Sequence, residues 1–196
     1  MKKIDLVILT GGKGSRIKQF LRGKPKPMVK FNNKHFLNYL IQFFGKYNFN
    51  NIYLLTGYRS SIIFSKYHNK KFNFIPIKCL NEKKPLGTGG ALNSLKKIRK
   101  LNDFILVNGD TIFKINPNKL IKSKKKNSIG SIALLKREKK SANNLKLNNL
   151  GLKKNQLYLS RVNKLINGGV YFFSKKILRY IPTKPSSLED DILPYL

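Results

Sequence analysis

Residues 4–16 read Ile4-Asp5-Leu6-Val7-Ile8-Leu9-Thr10-Gly11-Gly12-Lys13-Gly14-Ser15-Arg16, and the architecture of the chain can be worked out from them. The first six residues are short, β-branched and almost wholly apolar, which predicts a buried strand. The three glycines that follow permit a turn with positive φ and leave no Cβ to block a ligand. Free N–H groups in such a loop form an anion-binding nest, to which Lys13 and Arg16 add positive charge. The stretch therefore predicts a strand that ends in a phosphate-binding loop.

This loop matches neither of the two most familiar phosphate-binding patterns. It lacks the sequence Gly-x-x-x-x-Gly-Lys-Ser/Thr. The dinucleotide pattern Gly-x-Gly-x-x-Gly also fails, because position 17 is Ile17. The segment that comes next is more diagnostic.

That segment is Gly23-Lys24-Pro25-Lys26-Pro27-Met28-Val29. Two prolines fix φ on either side of Lys26 and disfavour a helix. The pattern predicts a rigid, extended segment that aims the Lys26 ammonium at one point. The alternative is an ordinary lysine in a proline-stiffened loop of a lysine-rich protein.

Asp110 follows another buried strand, Phe104-Ile105-Leu106-Val107, in the sequence Asn108-Gly109-Asp110. Open α/β sheets bind their ligands at the carboxyl ends of such strands. A carboxylate there suits Mg²⁺ beside phosphate groups. The alternative is an aspartate that caps the following turn.

Further elements are predicted from periodicity. Helical spacing covers residues 36–44, a buried strand covers 51–57, and a single strand with Pro76 at an edge or bulge covers 72–80. A glycine-rich turn, 85–91, opens a helix through Leu92, Leu95 and Ile98. Residues 165–173 predict a strand. Ser186 and Ser187, followed by three acidic residues, predict a capped helix start that explains Glu189 without catalysis.

Length and composition indicate one globular domain. The chain has 196 residues, of which 41% are hydrophobic, enough for a real core. Its single cysteine, Cys79, cannot form an internal disulfide, which suits a reducing cytoplasm. No apolar run approaches the roughly 18–20 residues of a membrane span, and no signal peptide is indicated.

The charge is extreme, with 41 Lys+Arg against 8 Asp+Glu and a formal net charge of +33. One interpretation is a nucleic-acid-associated protein. However, the basic residues are spread along the chain, and asparagine, isoleucine and phenylalanine are abundant too, as in products of AT-rich genomes. We therefore favour compositional bias and predict no specific nucleic-acid partner, although the charge will help to attract nucleoside triphosphates.

Taken together, the motifs resemble those of the sugar-1-phosphate nucleotidyltransferases. Within that family the motif sequences are most similar to those of the D-glycero-D-manno-heptose 1-phosphate guanylyltransferases. The resemblance covers nearly the whole chain. It is carried by Gly11 to Arg16, Pro25 to Met28, Glu82-Lys83-Lys84-Pro85-Leu86-Gly87-Thr88-Gly89-Gly90-Ala91, Val107-Asn108-Gly109-Asp110 and Ile166-Asn167-Gly168-Gly169-Val170-Tyr171.

The resemblance implies an α/β, Rossmann-like three-layer sandwich with a mostly parallel, mixed central sheet. It implies a cytoplasmic transferase that joins a nucleoside triphosphate, with GTP favoured, to a heptose or mannose-like sugar 1-phosphate. The products would be an NDP-sugar for surface polysaccharide and pyrophosphate, and the cofactor would be Mg²⁺. A homo-oligomer is left open.

The resemblance also implies roles for individual residues. Arg16 would hold the leaving pyrophosphate, Lys26 would contact the reacting phosphates, and Asp110 would bind Mg²⁺. The residues implied in nucleotide binding are Thr10, Gly11, Gly12, Gly14, Ser15, Glu82, Gly87 and Thr88, and those implied in sugar binding are Asn167, Gly168 and Gly169.

Glu82 matches the family position that reads the edge of the base. Guanine presents two adjacent donors there, N1–H and the N2 amine, and a carboxylate can accept both. Uracil and thymine present one N–H between two acceptors, which would repel a carboxylate. Glu82 therefore favours GTP.

Two departures from the family pattern bear on activity. The family carries a glutamate before the Asn-Gly-Gly strand, but this chain has no carboxylate between Glu138 and Glu189. Arg161, Asn163 or Lys164 would have to replace it. The family's second Mg²⁺ aspartate lies beyond the position where these residues end, at Leu196. We expect one nucleotidyltransferase domain over residues 1–196 without the C-terminal part of the family fold, and the alternative is a truncated or impaired homologue that only binds nucleotide or sugar phosphate.

Overall fold

A computed structural model describes residues 3–14, 18–21, 23–82, 84–136, 149–153, 156–159 and 165–196, with backbone only at 18, 149–153 and 156–159. The strands are β1 (Ile4–Leu9), β2 (Lys30–Phe31), β3 (Lys34–His35), β4 (Ile52–Thr56), β5 (Lys71–Phe72), β6 (Ile75–Asn81), β7 (Asp103–Asn108), β8 (Gly130–Lys136), β9 (Asn149–Lys153), β10 (Gln156–Leu159) and β11 (Leu165–Phe173). The α-helices are α1 (Lys18–Leu21), α2 (Phe36–Phe44), α3 (Ser60–Tyr67), α4 (Gly87–Gly90) and α5 (Pro117–Ser123). Tighter 3₁₀ segments cover Lys26–Met28, Ala91–Lys97, Lys175–Tyr180 and Leu193–Tyr195, and one π-helical turn covers Leu188–Ile192.

The main sheet has the strand order β10-β9-β11-β7-β1-β4-β6-β5, and β8 also pairs with β11. Neighbours among β7, β1, β4 and β6 are parallel, whereas β11 runs antiparallel to β7. This confirms the predicted mixed sheet. The register pairs Leu9 with both Leu55 and Asn108, so the carboxyl ends of the parallel strands lie side by side. We call this rim of the sheet, with the loops at 10–14, 57–59, 82 and 108–110, the carboxyl edge.

Both faces of the sheet are covered, which explains why the parallel strands are almost entirely apolar. On β1, Leu6 and Ile8 pack towards α2 and α3, while Val7 packs against the opposite layer. That opposite layer includes the segments 91–97, 175–180 and 188–192. The predicted three-layer arrangement is therefore present. Among the described residues, no helix has the length and apolar character to cross a bilayer.

Asp5 is the one charged side chain of β1, and it is fully buried. Its carboxylate accepts hydrogen bonds from the Asn51 side chain at 2.9 Å and from the Asn102 backbone N–H at 2.8 Å. These two asparagines immediately precede β4 and β7. Because burial of an unpaired charge is costly, Asp5 is best understood as a structural tie at the amino ends of three central strands.

Two short hairpins contain asparagine turns. In the β2–β3 hairpin, Asn32 and Asn33 have φ of 45° and 61°, and they form the predicted turn before α2. In the β5–β6 hairpin, Asn73 and Phe74 have φ of 45° and 66°. The prediction of one strand over 72–80 is therefore wrong at its start, because the chain reverses at Asn73, a residue type that tolerates the left-handed region.

The predicted extended conformation at Lys26 is also wrong. Lys26–Met28 forms a single 3₁₀ turn, closed by a hydrogen bond of 2.8 Å from the Met28 N–H to the Pro25 carbonyl. Proline is compatible with the first turn of a helix, where its missing N–H has no intrahelical partner. Pro25 and Pro27 are buried, so the segment is rigid as expected, but it is coiled.

Candidate active site

Thr10 anchors the first glycine-rich loop to the neighbouring strand. Its backbone N–H and its hydroxyl both donate to the Leu55 carbonyl, each at 2.8 Å, and the residue is fully buried. The hydroxyl is therefore committed within the protein. The sequence placed Thr10 among the nucleotide-binding residues, whereas this geometry makes its side chain a support for the loop.

The glycines of the loop have different surroundings. Gly14 has a φ of +64°, and a Cβ there would lie 2.7 Å from a methyl group of Leu21. Gly12 has open space instead, because no atom of the described residues, apart from its chain neighbours, lies within 4 Å of a Cβ placed there. A ligand could therefore approach the backbone at Gly12. Ser15 and Arg16, also predicted to bind, lie outside the described residues.

Glu82 lies in a narrow space between the first glycine loop and the turn after β4. Its Oε1 would be 2.7 Å from a Cβ on Gly11, and it also lies against Gly57. The other oxygen, Oε2, accepts a hydrogen bond of 3.3 Å from the Leu86 N–H. Burial raises the pKa of Glu82, while the Leu86 hydrogen bond works in the opposite direction. Larger residues at 11 or 57 would displace this carboxylate.

Lys26 and Asp110 form an ion pair at the carboxyl edge. The Lys26 Nζ lies 2.6 Å from Asp110 Oδ2, although the residues are 84 positions apart in the chain. Thr111 donates to the other oxygen at 3.0 Å. About a third of each charged side chain is exposed, 35% and 37%, so a ligand can reach both charges. The structure thus brings together two of the three residues predicted to be catalytic.

The second glycine-rich turn packs on the C-terminal segment. Gly87 has a φ of +74°, and a Cβ there would collide with the Ser186 backbone. The Thr88 hydroxyl donates to Glu189 Oε2 at 2.9 Å and accepts from the Leu188 N–H at 2.9 Å. Gly87 and Thr88, predicted to contact the nucleotide, therefore also hold the turn against residues 186–189.

The predicted sugar-binding residues form an irregularity in β11. Pairing with β8 shifts register between Asn167 and Tyr171, and Gly169 has a φ of +68°. A Cβ on Gly169 would lie 2.9 Å from the Asn108 side chain, and one on Gly168 would lie 3.1 Å from the Ala133 carbonyl. Both glycines thus allow close packing beside β7 and β8.

Glu189 and Tyr171 contact predicted site residues, although the sequence pattern gave neither of them a role in the site. The Tyr171 hydroxyl donates to Glu189 Oε1 at 2.9 Å and accepts from Asn167 Nδ2 at 2.7 Å. Ser187 caps the helical turn as predicted, by accepting from the Asp190 N–H at 3.1 Å. The Ser187 hydroxyl also donates to Glu189 Oε2 at 3.3 Å, so capping explains part of this acidic cluster but not the bonds of Glu189 to Tyr171 and Thr88. The feature of the sequence that could have drawn attention to Glu189 was the scarcity of acidic residues in this chain.

Asp110 is the residue at this edge that the motifs predict to hold a metal. No group of three or more His, Cys, Asp or Glu side chains in the described residues could enclose an ion. Mg²⁺ is commonly held by one or two carboxylates, with substrate phosphates and water completing its shell. A partly exposed aspartate at the edge that carries the predicted phosphate-binding loop fits that mode.

The comparison with known proteins establishes the family. Residues 6–145 match the family described as nucleotidyl transferase. The chain belongs to this family. The D-glycero-alpha-D-manno-heptose 1-phosphate guanylyltransferase of Campylobacter jejuni is 32% identical over 174 residues, which are 89% of this chain and 77% of that protein. The predicted membership in the sugar-1-phosphate nucleotidyltransferases is confirmed.

Other relatives show the same relationship. The mannose-1-phosphate guanylyltransferase catalytic subunit beta of Dictyostelium discoideum is 34% identical, and the match covers 96% of this chain. The match spans 54% of that relative's length. The structure of HddC from Yersinia pseudotuberculosis complexed with GMP-PN superposes with a TM-score of 0.81 at 29% identity, over all of this chain and 87% of that one. The predicted Rossmann-like fold is confirmed.

A pair of glycine substitutions separates packing from ligand access. Gly11→Ala places a methyl group 2.7 Å from Glu82 Oε1, so it should lower the melting temperature and weaken GTP binding. Gly12→Ala meets no other atom in the described part of the chain beyond its neighbours, so it should leave the melting temperature unchanged and weaken GTP binding about tenfold or more, which is about 1.4 kcal/mol. Thermal unfolding and titration calorimetry measure both. Normal GTP binding by Gly12→Ala would contradict the placement of the triphosphate on this loop.

Proposed function

We propose that this protein transfers a nucleotidyl group from GTP to a manno-configured heptose or hexose 1-phosphate. The observation that carries the proposal is the ion pair between Lys26 and Asp110, which lies beside the first glycine loop. A cation, a carboxylate and a glycine-rich loop at one sheet edge suit phosphoryl chemistry, which depends on positioning and charge neutralisation.

In the proposed reaction, an oxygen of the sugar 1-phosphate attacks the α-phosphorus of GTP. The bond from that phosphorus to the oxygen bridging to the β-phosphorus breaks in line, and pyrophosphate leaves with the bond electrons. Lys26 neutralises charge on the phosphates where they meet. The first glycine loop holds the triphosphate, and Arg16, by its motif position, holds the leaving group.

Asp110 is the residue that would hold Mg²⁺ in this scheme. The ion supplies charge neutralisation for the triphosphate when bound. Before substrate arrives, the Lys26 ammonium occupies the Asp110 carboxylate. Binding of Mg²⁺ at Asp110 and of phosphates at Lys26 would therefore replace this ion pair with contacts to the ion and the substrate.

Glu82 carries the choice of GTP. Its carboxylate is held in place on one side by Leu86, and no hydrogen bond to Oε1 occurs among the described residues. An unpaired oxygen in a half-buried space suits the paired donors of guanine. This assignment to GTP is supported by the names of the guanylyltransferase relatives, but it rests on the residue itself.

The proposal is tested by pyrophosphate release with Mg²⁺, using each of the four common triphosphates and a panel of hexose and heptose 1-phosphates. Release with GTP and a manno-configured sugar phosphate is expected. Release with another triphosphate would support the proposed activity but contradict the proposal that Glu82 selects the base. A folded protein that is silent with every pair would favour a homologue that only binds, for which Asp110 as the single described metal carboxylate is the supporting observation.

Glu82→Gln should reduce the preference for GTP over other triphosphates by about 10–100-fold, because a lost charged hydrogen bond costs about 1.5–3 kcal/mol. The wild-type KM for GTP should also rise as pH falls through the raised pKa of Glu82, because the protonated acid accepts only one donor. The Glu82→Gln variant should lack this pH dependence of KM. Initial rates between about pH 5 and 8 measure both effects. Unchanged nucleotide selectivity in the variant would contradict the assignment.

The cellular setting follows from the same proposal. Nucleotide sugars of this class are precursors of surface polysaccharide, and GTP and sugar phosphates are cytoplasmic metabolites. Cys79 is buried, and burial raises the pKa of its thiol to about 12, so it is an inert packing residue that suits a reducing compartment. We place the protein in the cytoplasm.

A further inference from the structure

The carboxylate of Glu189 joins two parts of the site that are distant in sequence. One oxygen accepts a hydrogen bond from the Tyr171 hydroxyl of β11, and the other accepts one from the Thr88 hydroxyl of the second glycine-rich turn, each at 2.9 Å. The second oxygen also accepts from the Ser187 hydroxyl of its own turn, at 3.3 Å. Tyr171 is fully buried. The π-helical turn of Leu188–Ile192 thus holds one carboxylate between the predicted sugar strand and the predicted base-binding turn.

The direction of the first hydrogen bond is fixed. Burial, and then the adjacent Glu189 charge, raise the pKa of Tyr171 well above its ordinary value. The phenol therefore keeps its proton and donates a hydrogen bond to Glu189. Its oxygen lone pair is left to accept from Asn167 Nδ2 at 2.7 Å.

This chain of bonds determines which way the Asn167 amide points. Its nitrogen donates to Tyr171, and its oxygen accepts from the Gly169 N–H at 2.9 Å. One N–H and one oxygen lone pair remain for a ligand. A sugar hydroxyl can accept a hydrogen bond from the first and donate one to the second. Glu189 therefore orients the Asn167 amide towards a ligand through Tyr171.

The second branch reaches the nucleotide side. Thr88 donates to Glu189 and accepts from the Leu188 N–H, which fixes the start of α4 to the C-terminal turn. Displacement of that turn would disturb the hydrogen bond from Tyr171 to Glu189, and through Tyr171 the one from Asn167. The two substrate sites therefore share one hydrogen-bonded element.

We propose that Glu189 is a positioning residue that couples nucleotide binding at the second glycine-rich turn to sugar-phosphate binding at Asn167. The inference rests on the proposed function. It also gives a carboxylate to the sugar side of a chain that has none between Glu138 and Glu189. The carboxylate acts through Tyr171 and Asn167.

The test measures binding of mannose 1-phosphate by titration calorimetry, alone and with a GTP analogue bridged by methylene between the α- and β-phosphates. Glu189→Gln and Tyr171→Phe should each weaken sugar-phosphate binding about tenfold in the presence of the analogue, which is about 1.4 kcal/mol. Binding of the analogue alone should change less than about twofold. The double variant should match the single variants, because both interrupt one chain of hydrogen bonds.

Asp190→Asn is the matched control, since Asp190 is the next carboxylate of the same turn and is exposed. It should leave sugar-phosphate binding unchanged. Three outcomes would overturn the inference. The first is normal sugar-phosphate binding by Glu189→Gln, and the second is a double variant whose loss of affinity is the product of the single losses. The third is an equal loss of affinity for both ligands together with a lower melting temperature. If the wild-type protein binds both ligands but releases no pyrophosphate, the proposed reaction is overturned. The coupling is then still tested by the binding affinities of the variants. Wild-type protein that never binds sugar phosphate would overturn both.

Discussion

Replacement of Lys26 by methionine is expected to lower kcat by about 10²–10³-fold, the usual cost of removing one preorganised group that stabilises transition-state charge. Methionine keeps much of the apolar side chain and removes only the ammonium. Lys26 is the cation that the structure places against Asp110 at the carboxyl edge. Steady-state kinetics with GTP and a sugar 1-phosphate would measure the loss.

Lys24→Met is the control for that variant. Lys24 lies in the same loop, is exposed, and carries the same charge. In a chain with 41 lysines and arginines, loss of one dispersed charge should change kcat less than about twofold. Equal losses in the two variants would mean that the local positive field, and not the aimed Lys26, supports the reaction.

Asp110→Asn is expected to lower kcat by about 10²–10³-fold and to raise the Mg²⁺ concentration needed for half-maximal rate. An asparagine keeps the shape of the side chain but loses its charge. The ion pair with Lys26 is partly exposed, so its loss should cost about 0–1 kcal/mol of folding free energy. The melting temperature should therefore fall by no more than about 4 °C.

Asp191→Asn provides the comparison for charge loss alone. Asp191 is exposed in the C-terminal turn, where its carboxylate accepts from the Ser187 N–H at 2.7 Å. Its activity and Mg²⁺ dependence should remain those of the wild type. If Asp110→Asn responds to Mg²⁺ as the wild type does, Asp110 does not hold the ion, whatever the loss in kcat.

The sequence was sufficient for the features that depend on local sterics and burial. Alternating or continuous apolar runs identified β1, β4, β7 and β11, because a strand buried between two layers leaves little room for polar residues. Glycine and asparagine turns were visible for the same kind of reason, as at Asn32 and Asn33. The order of the motifs was enough to identify the family.

Tertiary structure decided the features that depend on partners far away in the chain. The ion pair of Lys26 with Asp110 arises because parallel strands end at one edge, and the sequence pattern around Lys26 predicted an extended segment instead of a 3₁₀ turn. Likewise, Ser187 capping was enough to explain the acidic turn locally. Only the packing of that turn against β11 and α4 gave Glu189 its two distant hydroxyl partners, Tyr171 and Thr88, because side-chain hydrogen bonds form wherever packing brings donor and acceptor within reach, and sequence spacing does not encode that distance.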